Sequence, residues 1–321
     1  MASKNLRHLL SVDQLDTELI ERMFTYADAA AKNFDDKNRF HRPGGPLQGH
    51  ILHRLFYKES TRTYESFGFA AEHLGMGVQG SQSVQFSSVA KGETLEDTIR
   101  VISAYLPSLI VLRSAKAGDA ARAAEFASVP IVNGGDGSGE HPTQGLYDLY
   151  TAREELGRTS NLKVVMGGDL SNGRTARSFT KLLAKYPGNS FTFISPPTFE
   201  MGDDIKQMLD EKGLKYTETS ELETAFKEAD IVYWTRVQTE RLTDEQAKFL
   251  KANPGADKKY VIGAKEIALM RKDARLMHPL PRVGEIDPAI DNDPRAIYFD
   301  QVHYGLRVRM AIIEWVLGYI E

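Results

Sequence analysis

Phe56-Tyr57-Lys58-Glu59-Ser60-Thr61-Arg62-Thr63 is the stretch on which the reading of this chain turns. The apolar run that leads into it (Ile51, Leu52, Leu55, Phe56) predicts a buried strand. Beyond it, Phe67, Ala70, Ala71 and Leu74 recur at helical spacing until Gly75 ends the run. Ser60 to Thr63 therefore sit where a strand hands over to a helix. The first backbone N–H groups of a helix have no internal partners and point past its start. Hydroxyls and a guanidinium added there make a site for a phosphate or a similar dianion. The plainer alternative is a Ser60 N-cap beside a solvated Arg62.

Working outward, a first amphipathic helix is expected over residues 12–32, with Leu15, Leu19, Met23 and Ala27 on one face and Asp13 as an early acid or cap. Residues 35–49 are polar, carry Gly44, Gly45 and Pro46, and read as a loop. Gly75 to Lys91 lacks apolar periodicity and also reads as a mobile loop. Helices are then expected over 94–105, 116–127 and 145–156, strands over 108–112 and 129–132, and a loop over 133–144. A second series opens with a strand at 163–166, a glycine-bearing turn at 167–173 and a helix at 174–186. Strands at 191–194, 231–234, 260–262 and 275–280, helices at 203–212 and 221–229, and a closing helix at 302–319 complete it. Strands alternating with helices imply parallel sheets covered on both faces. The fold class expected is α/β, with two doubly wound parallel-sheet domains joined near residues 143–160.

In open α/β sheets ligands bind beyond the carboxyl ends of the strands. The polar motifs cluster there: Ser60 to Thr63, Arg113, His141, Arg174, Arg236 with Gln238, and Arg282 each come after a predicted strand. A single arginine is ordinarily a solvated surface residue. Five at strand ends argue for more than one anionic group in a cleft. The turn at 167–173 matches neither Gly-x-Gly-x-x-Gly nor a phosphate loop, so no dinucleotide is expected. His141 has only Glu140 near it in sequence, and no metal is expected. In His278-Pro279-Leu280-Pro281-Arg282 the two prolines predict a rigid, extended backbone able to present carbonyl groups.

Composition narrows the classes. The 321 residues, 41% hydrophobic and 26% charged, leave room for two cores. A net charge of -4 gives no reason to expect nucleic acid or an anionic membrane as partner, so any anion is bound by local clusters. The lack of cysteine removes disulfides, thiolate metal sites and cysteine nucleophiles. Met1 to Leu10 lacks the apolar core of a signal peptide, and no segment approaches the roughly 18 apolar residues of a membrane span. The expected location is cytoplasmic.

With these residues in hand, the chain resembles the aspartate carbamoyltransferase catalytic chains of the aspartate/ornithine carbamoyltransferase family, nearly end to end. The resemblance is carried by Ser60-Thr61-Arg62-Thr63 with Ser66-Phe67, Lys91-Gly92-Glu93-Thr94-Leu95 with Asp97-Thr98, His141-Pro142-Thr143-Gln144, Gly173-Arg174-Thr175, Thr235-Arg236-Val237-Gln238 and His278-Pro279-Leu280-Pro281-Arg282. It implies a carbamoyl phosphate-binding domain over 1–143, completed by a C-terminal helix at 305–321, and an aspartate-binding domain over 144–304, with the active site in the interdomain cleft. Ser60, Thr61, Arg62 and Thr63 would hold the phosphate, with Arg113 beside them. His141, Thr63 and Arg62 would polarise the carbamoyl oxygen, and Gln144 would bind the carbamoyl nitrogen. Arg174, Arg236 and Gln238 would grip aspartate, with Leu280 and Pro281 completing that site.

The same resemblance implies a homotrimer in which Ser87 and the catalytic Lys91 reach into a neighbouring subunit, no cofactor, and a place in pyrimidine biosynthesis. Regulatory chains or a dihydroorotase are further partners it allows. Two departures stand out: Lys58 occupies the position of a family glutamate, with Glu59 after it, and Ala90 replaces a lysine of some relatives. Rival readings are a carbamoyltransferase for another amine, such as ornithine, and a non-catalytic carbamoyl phosphate-binding homologue. Ornithine-type relatives commonly carry a cysteine in the His-x-Leu-Pro segment, where this chain has Pro279.

Overall fold

Two short polar caps set where the first helical segments of this chain begin. The structure, a computed structural model, describes residues 6–34, 45–82, 92–255 and 260–321; Ser87, Ala90, Lys91 and most of the predicted 35–49 loop lie outside the described residues. Ser11 caps a separate 3-10 turn, Val12–Gln14, through a capping box with Gln14. Asp16 then accepts from the Leu19 amide at 2.7 Å and starts α1 (Thr17–Phe34). The helix expected from residue 12 is thus two elements, because two caps five residues apart start two helical segments.

The first unit comprises Met1–Tyr147 and His303–Glu321. After α1 come β1 (Ile51–Phe56), α2 (Thr61–His73), β2 (Gly77–Gln82), α3 (Leu95–Ala104), β3 (Leu109–Ser114), α4 (Asp119–Phe126), β4 (Ile131–Asp136) and the start of α5 (Pro142–Leu156). The strands form one parallel sheet in the order β2-β1-β3-β4. Leu55, Ile99, Ile110, Leu112, Ala123 and Ile131 form one core cluster against it. β2 corrects the expectation of a loop after Gly75. It is an edge strand, Gly-Val-Gln-Gly-Ser-Gln, exposed along nearly all its length, so it carries no apolar signal.

The second unit is Asp148–Val302. It contains β5 (Lys163–Gly167), α6 (Arg174–Leu183), β6 (Ser190–Ile194), α7 (Asp203–Glu211), β7 (Lys215–Glu218), α8 (Leu222–Glu228), β8 (Ile231–Trp234), α9 (Asp244–Ala252), α10 (Ala264–Leu269), β9 (Arg275–Met277) and the start of α11 (Tyr298–Val316). The parallel order is β7-β6-β5-β8-β9. Val165, Val232, Trp234, Ile267, Leu276 and Tyr298 belong to its core. The strand expected at 260–262 is absent: Ile262 makes only an isolated bridge with Ile286, and its buried side chain reflects core packing. β7, α9 and α10 were not anticipated.

Both sheets are doubly wound. The strand order reverses between β1 and β3 in the first and between β5 and β8 in the second. Those two switch points open crevices at the strand carboxyl ends, and the segments directly after these four strands are where ligands are expected.

Candidate functional site

In the first unit, Ser60 occupies the N-cap position of α2 in an extended conformation, yet its side chain makes no capping hydrogen bond. The capping alternative for Ser60 therefore fails, and its hydroxyl is left for another acceptor or donor. Thr61 and Arg62 open the helix and are exposed, whereas Thr63 is buried. Thr63 Oγ1 lies 3.3 Å from His141 Nε2, and His141 Nδ1 lies 3.3 Å from Thr143 Oγ1. His141 is 3% exposed and Gln144 5% exposed. Pro142 suits the first position of α5, where its missing N–H costs nothing, so the helix starts three residues earlier than expected and carries Thr143 and Gln144 on its first turn.

Arg113 pairs in register with Phe56 at the ends of β3 and β1, and its Nη1 donates to the Gly134 carbonyl at 2.9 Å. Asp136 ends β4 and organises the loop to His141. Its carboxylate accepts from the Gly118 amide at 2.9 Å and from the Glu140 amide at 3.0 Å. The structure thus brings Thr63, His141 and Thr143 into contact, with Ser60 to Arg62 at the same helix start and Arg113 on the adjacent strand.

In the second unit the turn after β5 packs against the segment after β8. Gly167 lies where a Cβ would come within 2.1 Å of the Trp234 ring, and Gly168 has φ of +97° with a Cβ position 1.9 Å from the Thr235 carbonyl oxygen. Only glycine permits that approach. The fully buried Asp169 ties the two segments together. One carboxylate oxygen accepts from the Ser171 hydroxyl at 3.1 Å and the Asn172 amide at 3.0 Å; the other accepts from the Gln238 amide at 3.0 Å. The Gln238 side chain returns the link by donating to the Asn172 carbonyl at 2.8 Å. Gln246 fastens the same turn, donating to Ser171 Oγ and the Thr198 carbonyl, both at 2.8 Å.

Arg174 opens α6 and is 8% exposed. Arg236 forms a two-pronged ion pair with Glu240, with one prong at 2.9 Å from Nη1 to Oε2. That carboxylate, more than offsetting burial, holds the Arg236 guanidinium above its ordinary pKa. Arg241 is shifted the other way: burial lowers it, Arg236 adds to the lowering, and Glu240 and Asp169 oppose it.

Arg282, counted among the strand-end arginines, pairs with Asp291 and donates to Tyr298 Oη at 3.1 Å, which makes it part of the scaffold. The backbone at 278–281 is not extended as expected. Leu280 has φ of +52°, the Leu280–Pro281 bond is cis, and the Leu280 amide donates to His278 Nδ1 at 2.8 Å. A side chain that captures the amide two residues on bends the chain where proline alone predicts extension. Asp169, Arg241 and Asp136 escaped the sequence reading. The first comes after a strand, like the arginines, and that position was its only signal.

Residues 7–154 match the family described as aspartate/ornithine carbamoyltransferase, carbamoyl-P binding domain, and residues 160–316 match the Asp/Orn binding domain of the same family. Among relatives, aspartate carbamoyltransferase 2, chloroplastic, of Pisum sativum is 42% identical over 97% of this chain and 79% of its own length. The aspartate carbamoyltransferase catalytic subunit of Clostridium novyi is 39% identical over 97% of this chain and 98% of its own. Among solved structures, aspartate transcarbamoylase from Trypanosoma cruzi in complex with carbamoyl aspartate and phosphate superposes with a TM-score of 0.89 at 34% identity, covering 98% of this chain and 97% of that one.

Proposed function

Since the chain belongs to the aspartate/ornithine carbamoyltransferase family, we infer that it transfers the carbamoyl group of carbamoyl phosphate to the amino group of L-aspartate, giving N-carbamoyl-L-aspartate and phosphate. The observation that carries the reading at the site is the start of α2: an N-cap serine whose hydroxyl is not used for capping, two threonines, an arginine, and a buried contact from Thr63 to His141. In this reading the first unit takes carbamoyl phosphate through Ser60, Thr61, Arg62, Thr63, Arg113, His141 and Gln144. The second takes aspartate through Arg174, Arg236, Gln238, Leu280 and Pro281.

The chemistry sets what these groups must do. Carbamoyl phosphate and aspartate both carry negative charge, and two unit charges 4 Å apart repel by about 4 kcal/mol at an effective dielectric of 20. Arginines cancel that repulsion and hold flat carboxylates through paired donors. The aspartate nitrogen attacks the carbamoyl carbon, and the carbonyl oxygen gains negative charge. Thr63, His141 and Arg62 donate to that oxygen; one well-placed donor is worth about 3 kcal/mol. The carbon–oxygen bond to phosphate then breaks, and the departing phosphate accepts the proton lost by nitrogen. Positioning and charge stabilisation supply the rate, with no protein nucleophile.

We also propose a cytoplasmic homotrimer in pyrimidine biosynthesis, with Ser87 and Lys91 of one subunit serving the site of its neighbour. A colorimetric assay of carbamoyl transfer to aspartate, ornithine and putrescine tests the acceptor: product with aspartate alone is expected, and product with none would leave only a binding role. Mixing inactive Arg62→Ala and Lys91→Ala chains should restore activity through intact composite sites. Failure under verified subunit exchange would remove the shared-site proposal.

A further inference from the structure

The turn that carries Leu280 is held by a buried polar chain that none of the substrate-binding assignments uses. Leu280 occupies the left-handed region at φ of +52°, a conformation unfavourable for a residue with a Cβ, which persists only where the surroundings impose it. Here they do. The Leu280 amide donates to His278 Nδ1 at 2.8 Å, and His278 Nε2 lies 2.8 Å from Glu285 Oε1. His278 is 2% exposed. Its backbone amide donates to Gln301 Oε1 at 3.0 Å, Gln301 Nε2 donates to Asp148 Oδ1 at 2.6 Å, and Tyr233 Oη donates to Asp148 Oδ2 at 2.8 Å.

A ring nitrogen that accepts from an amide N–H carries no proton of its own. Nδ1 of His278 is therefore the bare nitrogen, and the imidazole proton sits on Nε2, on the side of the Glu285 carboxylate but bent too far from its Oε1 to make a hydrogen bond to it. We propose that His278 is a positioning residue: as the Nε2–H tautomer, seated beside Glu285 and accepting from the Leu280 amide, it fixes the left-handed turn that aims the Leu280 carbonyl at the aspartate-derived nitrogen. The aim of that carbonyl rests on the proposed function, whereas the tautomer and the turn do not.

The test has two arms. Nitrogen-15 spectra of histidine-labelled protein, with the His278 signal assigned by its loss in His278→Asn, should show an unprotonated Nδ1 and a protonated Nε2 near neutral pH. A protonated Nδ1 would overturn the proposal whatever the activity. In the kinetic arm, His278→Ala removes the acceptor of the Leu280 amide and should raise the KM for aspartate about tenfold, the scale of one lost buried hydrogen bond, while the KM for carbamoyl phosphate stays put. His278→Asn places an amide oxygen where it can accept from the residue two positions on, and should recover most of that loss. An unchanged aspartate KM in His278→Ala, or an Asn variant as impaired as the Ala variant, would overturn the positioning role. Should His278→Ala not fold, the spectra and the Asn variant still decide. A wild-type protein that makes no carbamoyl aspartate would defeat the functional reading and leave the tautomer to the spectra.

Discussion

Replacing Asp169 by asparagine removes one charge and changes one atom, at a place where neither change can be absorbed by solvent. The side chain is fully buried. One oxygen accepts from Ser171 Oγ, the Asn172 amide and Asn172 Nδ2; the other accepts from the Gln238 amide and again from Asn172 Nδ2. Every partner is a donor, so an amide NH2 must confront at least one of them. The cheaper orientation places it against Gln238, because the other oxygen serves more donors. The loss is a charge-assisted bond and a stranded amide, about 2–4 kcal/mol together. The strain falls on the backbone that sets Arg236 and Gln238. The KM for aspartate should therefore rise by roughly 30-fold to several hundred-fold. The KM for carbamoyl phosphate should hold within about twofold, and the urea midpoint should drop. Steady-state kinetics with each substrate varied separate these. An Asp169→Asn enzyme with wild-type aspartate KM and an unchanged midpoint would refute the reasoning.

Three further outcomes are expected. Arg62→Ala and Thr63→Val should each cut kcat by about 100-fold or more, since each removes a donor to developing charge, and Arg62→Ala, at an exposed position, should leave the melting temperature close to wild type; near-normal turnover would contradict the oxyanion assignment. Glu240→Ala should weaken aspartate about tenfold with little change in kcat, because the two-pronged pair fixes the plane of the Arg236 guanidinium; tighter aspartate binding would mean that Glu240 instead competes with substrate. Burial pushes the Glu314 carboxyl up to about 7 from 4.5. The native state therefore holds that proton longer than the unfolded chain, so the contribution is full below about 4.5 and disappears as pH rises through about 7. Glu314→Gln should flatten that decline and be more stable than wild type at pH 8 by about 1–3 kcal/mol in urea titrations; identical pH dependence would show that Glu314 does not titrate in this window.

The central strands were legible because buried parallel strands are unbroken apolar runs: Leu109-Ile110-Val111-Leu112 and Ile231-Val232-Tyr233-Trp234 admit little else. The edge strands β2 and β7 were not, because solvent meets Gly77–Gln82 and Lys215–Glu218 along most of their length and selects polar side chains. The start of α9 did carry a readable sign, the Thr243–Gln246 capping box. Among the candidate site residues, the arginines stood out because Arg113 lies at the end of β3 and Arg62, Arg174 and Arg236 lie in the segments that follow β1, β5 and β8. Asp169 could not be told from an ordinary turn residue, since aspartate in a glycine turn commonly serves its own backbone. Its partner at Gln238 is 69 residues away, and no local pattern encodes that bond.

The first unit is discontinuous, needing residues 303–321 as well as those before 148, whereas the second is one uninterrupted stretch. On a translating ribosome the order of completion is consequently inverted. The later-made lobe has its whole sequence available while the earlier one still waits for its last helix. A chain ending before residue 303 would contain every residue of the second unit and lack the C-terminal segment of the first.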